Sequence, residues 1–330
     1  MTDLRTPAAT RHPISTILIV HAQPDDFRAA LEKRFPAIRF HWVTDDASDI
    51  APVLEATQPD AVFSIVTATF RGPAHRQAAT FRSVKWIHCG GSGYEHLLPL
   101  DLDRVVLTNC VGVLAPFLAE TVIAGMLGLN SRLVQYRVQQ TKRLWEPHSF
   151  RPIQGQTLLV LGLGAIGKSV ARFAKALGMH VLATARSTDQ VHPDVDELHP
   201  HVRFRELLPR ADVLSVHWRH TADTEGLIDR TVLEALPRHA LFINTARGAI
   251  VNEPDLVAVL ESGHLGGAYL DVFATEPLKP ESPLWNMDRV LISPHASDNT
   301  EDWTQRFANL FADNLERWTS GAPLVNIVRF

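Results

Sequence analysis

From Ser15 onward, short runs of aliphatic and β-branched residues alternate with segments whose apolar positions recur every three or four residues. The runs STILIVHA (15–22), AIRFHWV (37–43), AVFSIV (61–66), VKWIHC (84–89) and VVLTN (105–109) are largely apolar on both alternating faces, the pattern of buried strands in a parallel sheet. Helices are predicted over Asp26–Arg34 and in the patch before Asp60, so this span reads as a first α/β unit. After Asn109 the pattern changes to one long apolar helix, roughly Leu114–Arg137, read as a buried connector. The stretch Val138–Gln156, with Trp145, Pro147 and Pro152, is loop-like and amphipathic: either a surface loop or an arm that wraps a partner subunit. A second α/β series begins at Thr157 with TLLVLG, a helix to Leu177 and HVLAT. It continues with ADVLSVHW, ALFINTA, a helix over Pro254–Ser262, AYLDVF and VLISPH. A final amphipathic helix, Glu301–Thr319, is expected to return to the first unit, and a chain that crosses twice between domains makes a hinged cleft.

Composition narrows the partners. Hydrophobic residues make up 45% and charged residues 21% of the 330 positions, enough for well-filled cores and, by length, two domains. A formal net charge of −4 leaves no broad basic field for a polyphosphate backbone, so nucleic acid is not expected as a partner. The chain has no run of about eighteen apolar residues, so no membrane-spanning helix is expected. Met1–Pro13 is polar and lacks the apolar core of a signal peptide, which gives the expectation of a cytoplasmic protein. Cys89 and Cys110, both at strand-like ends, are expected to be structural thiols in that compartment.

The strongest local signal is Gly162-Leu163-Gly164-Ala165-Ile166-Gly167, which follows an apolar strand and opens a helix with apolar residues at Val170, Phe173 and Leu177. The first glycine suits a tight turn, the second lets the backbone approach a pyrophosphate and the third allows helix and strand to close up; the helix N-terminus then faces the anion. An acidic residue about twenty positions on would bind the ribose hydroxyls of NAD. This chain has Ala185, then Arg186, Ser187 and Thr188, a cation and two hydroxyls suited to a 2′-phosphate, and NADP(H) is therefore expected over NAD(H).

Three later strand ends concentrate polar groups: Arg247 in INTARG, Asp271 and Glu276 in LDVFATEP, and His295 in SPH. Ligands of open α/β sheets bind at that edge. Arg247 can fork onto a carboxylate and polarise the adjacent carbonyl, and His295 can supply a proton as an alkoxide develops. Glu276, hydrogen-bonded to the imidazole, would orient it and favour its charged form. Asp271 is read either as an acceptor for a nicotinamide carboxamide or as a brace for a strand end. No metal site is expected.

With these motifs the chain resembles the D-isomer-specific 2-hydroxyacid dehydrogenases over most of its length: LGLGAIGKSVA (161–171), ADVLSVHW (211–218), INTARGAIVNE (243–253), GAYLDVFATEPL (267–278), LISPHAS (291–297), HCGGSGYEHL (88–97) and TNCVGVLAPFLAETV (108–122). The resemblance implies an α/β fold of two Rossmann-like, doubly wound parallel-sheet domains with an active-site cleft between them. Residues 1–108 with 299–330 would form a flavodoxin-like substrate-binding domain; 109–298 would form the dinucleotide-binding domain, with the connector and a dimerisation arm over 114–156. It implies Arg247 as the substrate-binding cation, His295 as acid/base and Glu276 as its partner. It places Thr245, Ala246 and Asp271 at the nicotinamide end, His217 and Arg219 along the cofactor, and the backbone of Gly91-Ser92-Gly93 on the substrate carboxylate. The implied activity is reduction of a small 2-oxo acid to the D-2-hydroxy acid, or its reverse, in a homodimer.

Departures from the family pattern bear on specificity. Trp218-Arg219-His220-Thr221 replaces a Leu-Pro-Leu-Thr-like segment, which puts Arg219 near either the diphosphate or the 2′-phosphate. Tyr94 and Glu95 replace a Val and an Asp beside the carboxylate loop. The Arg, Glu, His set argues against the formate dehydrogenases, and the length against phosphoglycerate dehydrogenases with a regulatory domain. Arg186 resembles the NADPH-linked glyoxylate and hydroxypyruvate reductases. The alternative is a cofactor-sensing interaction protein of corepressor type on the same fold.

Overall fold

The computed structural model describes residues 12–45, 48–67, 70, 72–189 and 191–329. The segment Met1–Arg11, most of the polar opening, lies outside the described residues. The chain divides into two compact units, residues 1–113 with 300–330, and 114–299.

The first unit holds β1 (Thr16–Val20), α1 (Asp25–Arg34), β2 (Arg39–Val43), α2 (Ala51–Thr57), β3 (Ala61–Ile65), α3 (Ala74–Thr80), β4 (Trp86–Gly90) and β5 (Val106–Asn109). All pairs are parallel and the order is β2-β1-β3-β4-β5, a doubly wound sheet. The alanine-rich α3 escapes the pattern of the sequence because its buried face is Ala74, His75, Ala78 and Ala79, too small to mark a hydrophobic stripe. The last helix, labelled α10 below (Trp303–Ser320), belongs to this unit for an evident reason. Its Phe311 stacks between Phe63 and Trp86, with ring centroids 4.5 and 5.2 Å apart, and Trp318 stacks on Trp86 at 5.5 Å. Each such ring contributes several kcal/mol by leaving water. Cys89 and Cys110 are free and buried, and burial pushes both thiols up, Cys89 to about 12, so neither is a ready nucleophile.

The second unit opens with a helix that is not continuous. The connector is α4 (Ala115–Asn130) followed by α5 (Leu133–Lys142), which turn by 61° where Arg132 takes a left-handed conformation, φ 64°. The predicted single helix to Arg137 is thus corrected to two, and the first residues of the predicted loop 138–156 are helical. The periodicity of apolar residues survives such a kink, so it conceals the break. Among the described residues, no single helix is long and apolar enough to cross a membrane.

Seven parallel strands follow: β6 (Thr157–Leu161), β7 (His180–Ala185), β8 (Glu197–Pro200), β9 (Val213–Val216), β10 (Leu241–Asn244), β11 (Gly267–Leu270) and β12 (Val290–Ile292), in the order β12-β11-β10-β9-β6-β7-β8. The helices are α6 (Ala165–Ala176), α7 (Phe204–Leu207), α8 (Arg230–Glu234) and α9 (Glu253–Glu261). The sequence pattern does not mark β8, a half-exposed edge strand of mixed polarity, ELHP. Register aligns Ile292, Leu270, Asn244, Val216, Leu161, Thr184 and His199 in one row across the carboxyl ends. At the usual strand spacing this edge is about 30 Å long. The order reverses between β6 and β9, and such a switch point is where an open sheet leaves room for a ligand.

Candidate active site

At the switch point Gly162 and Gly167 are sterically required. Gly162 has φ 106°, and a Cβ there would sit 2.9 Å from the His217 carbonyl oxygen; one on Gly167 would sit 2.1 Å from the Gly162 oxygen. Gly164 has nothing within 4 Å of that direction, and Gly164 and Ala165 are exposed at the start of α6. The result is an open helix N-terminus with bare backbone, a cradle that fits a pyrophosphate. Ile166 is half-buried beside it.

Two orphaned polar atoms lie farther along. His217 and Thr245 leave the adjacent strands β9 and β10, one residue past the paired Val216 and Asn244. Thr245 Oγ1 and His217 Nδ1 are buried without a hydrogen-bond partner among the described residues. His217 Nε2 is paired with Ser215 Oγ at 2.8 Å, and burial lowers the imidazole to about 4, so the ring is neutral. A buried polar atom left unpaired is costly, and a polar ligand would satisfy both. Ala246 is partly buried next to Thr245, its N–H held by Asn244 Oδ1 at 3.0 Å.

The three residues singled out for chemistry sit beyond β10, β11 and β12. Asn244 shapes the first loop by also donating from Nδ2 to the Arg247 carbonyl at 3.1 Å. The Arg247 side chain is exposed, donates to the Ala246 carbonyl at 2.7 Å and forms no ion pair among the described residues. Gly248 follows because nothing larger fits: a Cβ would lie 1.9 Å from the Phe273 carbonyl carbon, so the two loops meet backbone to backbone. Glu276 Oε1 accepts from the Phe273 N–H at 3.1 Å, while Glu253, at the start of α9, accepts from the Ala274 N–H at 3.1 Å. Glu276 Oε2 lies 2.8 Å from His295 Nδ1. A carboxylate only accepts, so Nδ1 carries a proton and Nε2 is left to face outward chemistry.

His295 is held at φ 51°, a conformation that costs a non-glycine residue energy. Asp271 is the brace. Its side chain is 2% exposed and accepts from Ser293 Oγ, from Ala296 N at 2.9 Å and from Ser297 N at 3.3 Å, and its carbonyl accepts from His295 N at 2.9 Å. Tyr269 bridges Ser293 and Ser297 at 3.0 and 3.2 Å. Of the two sequence readings of Asp271, the bracing one describes these contacts. Asn244, Glu253, Tyr269 and Ser293 were not legible as site residues, since a polar residue near a strand end carries no mark of what it holds. Asp298 is a further addition: it is partly buried, and burial pushes its carboxyl up, with His295 and Arg247 pulling the other way and Asp271 adding to the rise.

Farther along the edge, Arg186 beyond β7 is exposed, as is Arg219 beyond the central strand β9, and neither is in an ion pair among the described residues. Ser187 Oγ donates to Asp189 Oδ2 at 2.9 Å, so in this arrangement its proton points to a carboxylate. In the first unit, the loop Gly91-Ser92-Gly93 has its carbonyls occupied by Cys110 N–H at 2.8 Å, Asn109 Nδ2 at 3.0 Å and Cys89 Sγ at 3.1 Å. Among the described residues the N–H groups of Ser92 and Gly93 donate to nothing and are available to an acceptor.

Known proteins share this architecture. The family model for the D-isomer specific 2-hydroxyacid dehydrogenase NAD binding domain matches residues 123–297. A glyoxylate reductase of Aeropyrum pernix is 32% identical over 285 residues, 83% of this chain and 84% of that one. A D-isomer specific 2-hydroxyacid dehydrogenase of Xanthobacter autotrophicus, solved with NADPH and MES, superposes with a TM-score of 0.80 at 27% identity, covering 96% of this chain and 98% of that one. The NADPH-dependent glyoxylate/hydroxypyruvate reductase of Sinorhizobium meliloti, solved with NADP and sulfate, gives 0.78 at 28% identity over 95% and 98%. By its glycine cradle, its two parallel sheets and these matches, the chain belongs to the D-isomer specific 2-hydroxyacid dehydrogenase family and is a nicotinamide-cofactor oxidoreductase acting between 2-oxo and 2-hydroxy acids.

Proposed function

We propose that this chain reduces a small 2-oxo acid of glyoxylate or hydroxypyruvate size to the D-2-hydroxy acid, with NADPH preferred over NADH. The observation that carries the chemistry is the 2.8 Å contact between His295 Nδ1 and Glu276 Oε2, together with an Arg247 that forms no ion pair among the described residues. Arg247 takes the substrate carboxylate in a two-pronged grip and draws electron density from the neighbouring carbonyl. In the first unit, the free N–H groups of Ser92 and Gly93 are donors of the kind a carboxylate takes. When bound, the cofactor supplies the hydride to the carbonyl carbon. His295 gives the proton on Nε2 to the developing alkoxide, while Glu276 keeps the ring aimed through Nδ1. Gly162, Gly164, Ala165, Ile166 and Gly167 hold the diphosphate; Thr245, Ala246 and His217 line the nicotinamide half. Asp271 serves that half through the loop it braces.

Support for the substrate class comes from the names of the relatives, and for NADPH from Arg186 where an acid would select NAD. Relatives solved with NADP or NADPH point the same way. The chain is also proposed to act as a cytoplasmic homodimer: Leu133, Leu144, Trp145 and Phe150 expose large apolar surface along one segment, with Trp145 98% exposed, and a second copy would cover it. Light scattering at a mass near twice that of the chain would support this, and a monomer at micromolar concentration would remove it.

The decisive assay is the initial rate of NADPH and of NADH oxidation with glyoxylate, hydroxypyruvate, pyruvate and bulkier 2-oxo acids. Fast turnover of a two- or three-carbon acid with NADPH is expected. Equal rates with both cofactors would remove the NADPH preference, and turnover confined to bulky acids would remove the substrate class.

A further inference from the structure

β7 and β8 run parallel with Ala185 paired to Pro200, so the next residues, Arg186 and His201, leave the sheet side by side. His201 is not a free surface histidine. Trp218 Nε1 donates to its Nδ1 at 3.1 Å, and Thr184 Oγ1 lies 3.0 Å from the same nitrogen. An indole N–H only donates, so Nδ1 carries the lone pair and the ring proton resides on Nε2. Trp218 is itself fixed: it is 7% exposed, and its ring meets Phe204 edge-on at 5.1 Å and His201 at 5.7 Å. His201 Nε2 has no hydrogen-bond partner among the described residues and is not fully buried, and the Arg186 cation lies close enough to act on the ring. Burial and the Arg186 cation both lower the imidazole, which favours the neutral ring, and the Trp218 bond sets its tautomer.

We infer that His201 is a second recognition group for the adenosine 2′-phosphate, donating from Nε2 in a direction set by Trp218 while Arg186 supplies the charge. This rests on the NADPH reading above and adds a residue to it that no acid-or-arginine rule points to. The division of labour follows from the geometry. An exposed arginine on a flexible stem attracts an anion from many directions, whereas a ring clamped at Nδ1 offers one donor along one line. The Trp218 that replaces an aliphatic residue of the usual segment is what makes the clamp, since an aliphatic side chain has no N–H to give.

The test is calorimetric binding of adenosine 2′,5′-bisphosphate and of AMP to the full-length protein and its His201→Ala, His201→Gln and Arg186→Ala variants. Binding of the bisphosphate by H201A is expected to fall about tenfold, the worth of one hydrogen bond to a charged acceptor, with AMP within about twofold of wild type. Glutamine accepts from Trp218 with Oε1 and donates with Nε2, so H201Q is expected to recover most of the loss. Equal weakening of both nucleotides in H201A would reduce His201 to a prop for Trp218 and overturn the inference, as would no weakening at all. The two readings separate cleanly. A wild-type protein that does not distinguish the nucleotides overturns the NADPH reading and this one with it. A preference that Arg186→Ala abolishes and His201→Ala leaves intact overturns only the role of His201.

Discussion

Beyond β10, β11 and β12, carboxylates, hydroxyls and main-chain N–H groups are engaged with one another: Asp271 with Ser293, Ala296 and Ser297, Glu276 with Phe273 and His295, Glu253 with Ala274. Beyond β7 and β9, the cations Arg186 and Arg219 stand exposed with no acidic partner among the described residues. The same sheet edge therefore carries a hydrogen-bonded network beyond β10, β11 and β12, with Arg247 exposed beside it, and exposed cations without such a network beyond β7 and β9. Proton transfer demands a donor fixed to a fraction of an ångström, and a hydrogen-bonded net supplies that. Selecting a phosphate demands charge and reach, and loose cations supply those.

The largest effect is expected where the network meets the chemistry. His295→Ala is expected to lower kcat by about 10²- to 10⁴-fold, the range for a lost general acid, with the dissociation constant of NADPH changed little. Stopped-flow hydride transfer and fluorescence titration measure the two, and an unchanged kcat would take His295 out of the proposed role. Asp271→Asn turns an acceptor of three donors into a group with one accepting oxygen. It is expected to cost about 3 kcal/mol of stability, because buried donors are left facing an amide N–H, and to lower kcat as the His295 loop relaxes. Chemical denaturation reads the first effect, and a loss within a few tenths of a kcal/mol would mean that the network is not the brace described.

At the exposed cations the effect is smaller and selective. Arg186→Ala is expected to weaken NADPH about tenfold and to leave NADH nearly unchanged, as loss of one charge-assisted contact should. Equal losses for the two cofactors would erase the contrast between the two regions. Smallest is a pH effect at Asp298. Its folded-state carboxyl is raised, so the folded protein binds the proton more tightly than the unfolded chain does. Stability contributed by this group is therefore fully present at acid pH, below the ordinary carboxylate value, and is lost as pH rises from there through the raised folded value. Asp298→Asn is expected to flatten that limb of a stability-against-pH curve; an unaltered curve would show that Asp298 is well solvated.

How much of this was legible beforehand follows the same contrast. Gly162 and Gly167 were readable because backbone clearance leaves a residue-type signature that few other requirements imitate. Arg247, Glu276 and His295 were readable from their place beyond apolar strands. Trp218 and His201 were not, because their bond joins positions on different strands and neither residue is unusual in its own neighbourhood. Nor was the turn at Arg132, where apolar spacing runs on across a bend of 61°. The alternating pattern reports which face is covered; it does not report where a helix bends or which polar atoms meet.

The backbone contact between Gly248 and Phe273 carries a consequence for anyone who would re-engineer this protein. Two stretches of chain some 25 positions apart are, for purposes of variation, one heritable block: a change that enlarges either must be matched in the other. Substitutions around Arg247 and around Glu276 should accordingly show strong epistasis. A library that randomises them separately would discard combinations that succeed only as a pair, and one that varies them jointly would reach altered substrate grips that stepwise screening cannot.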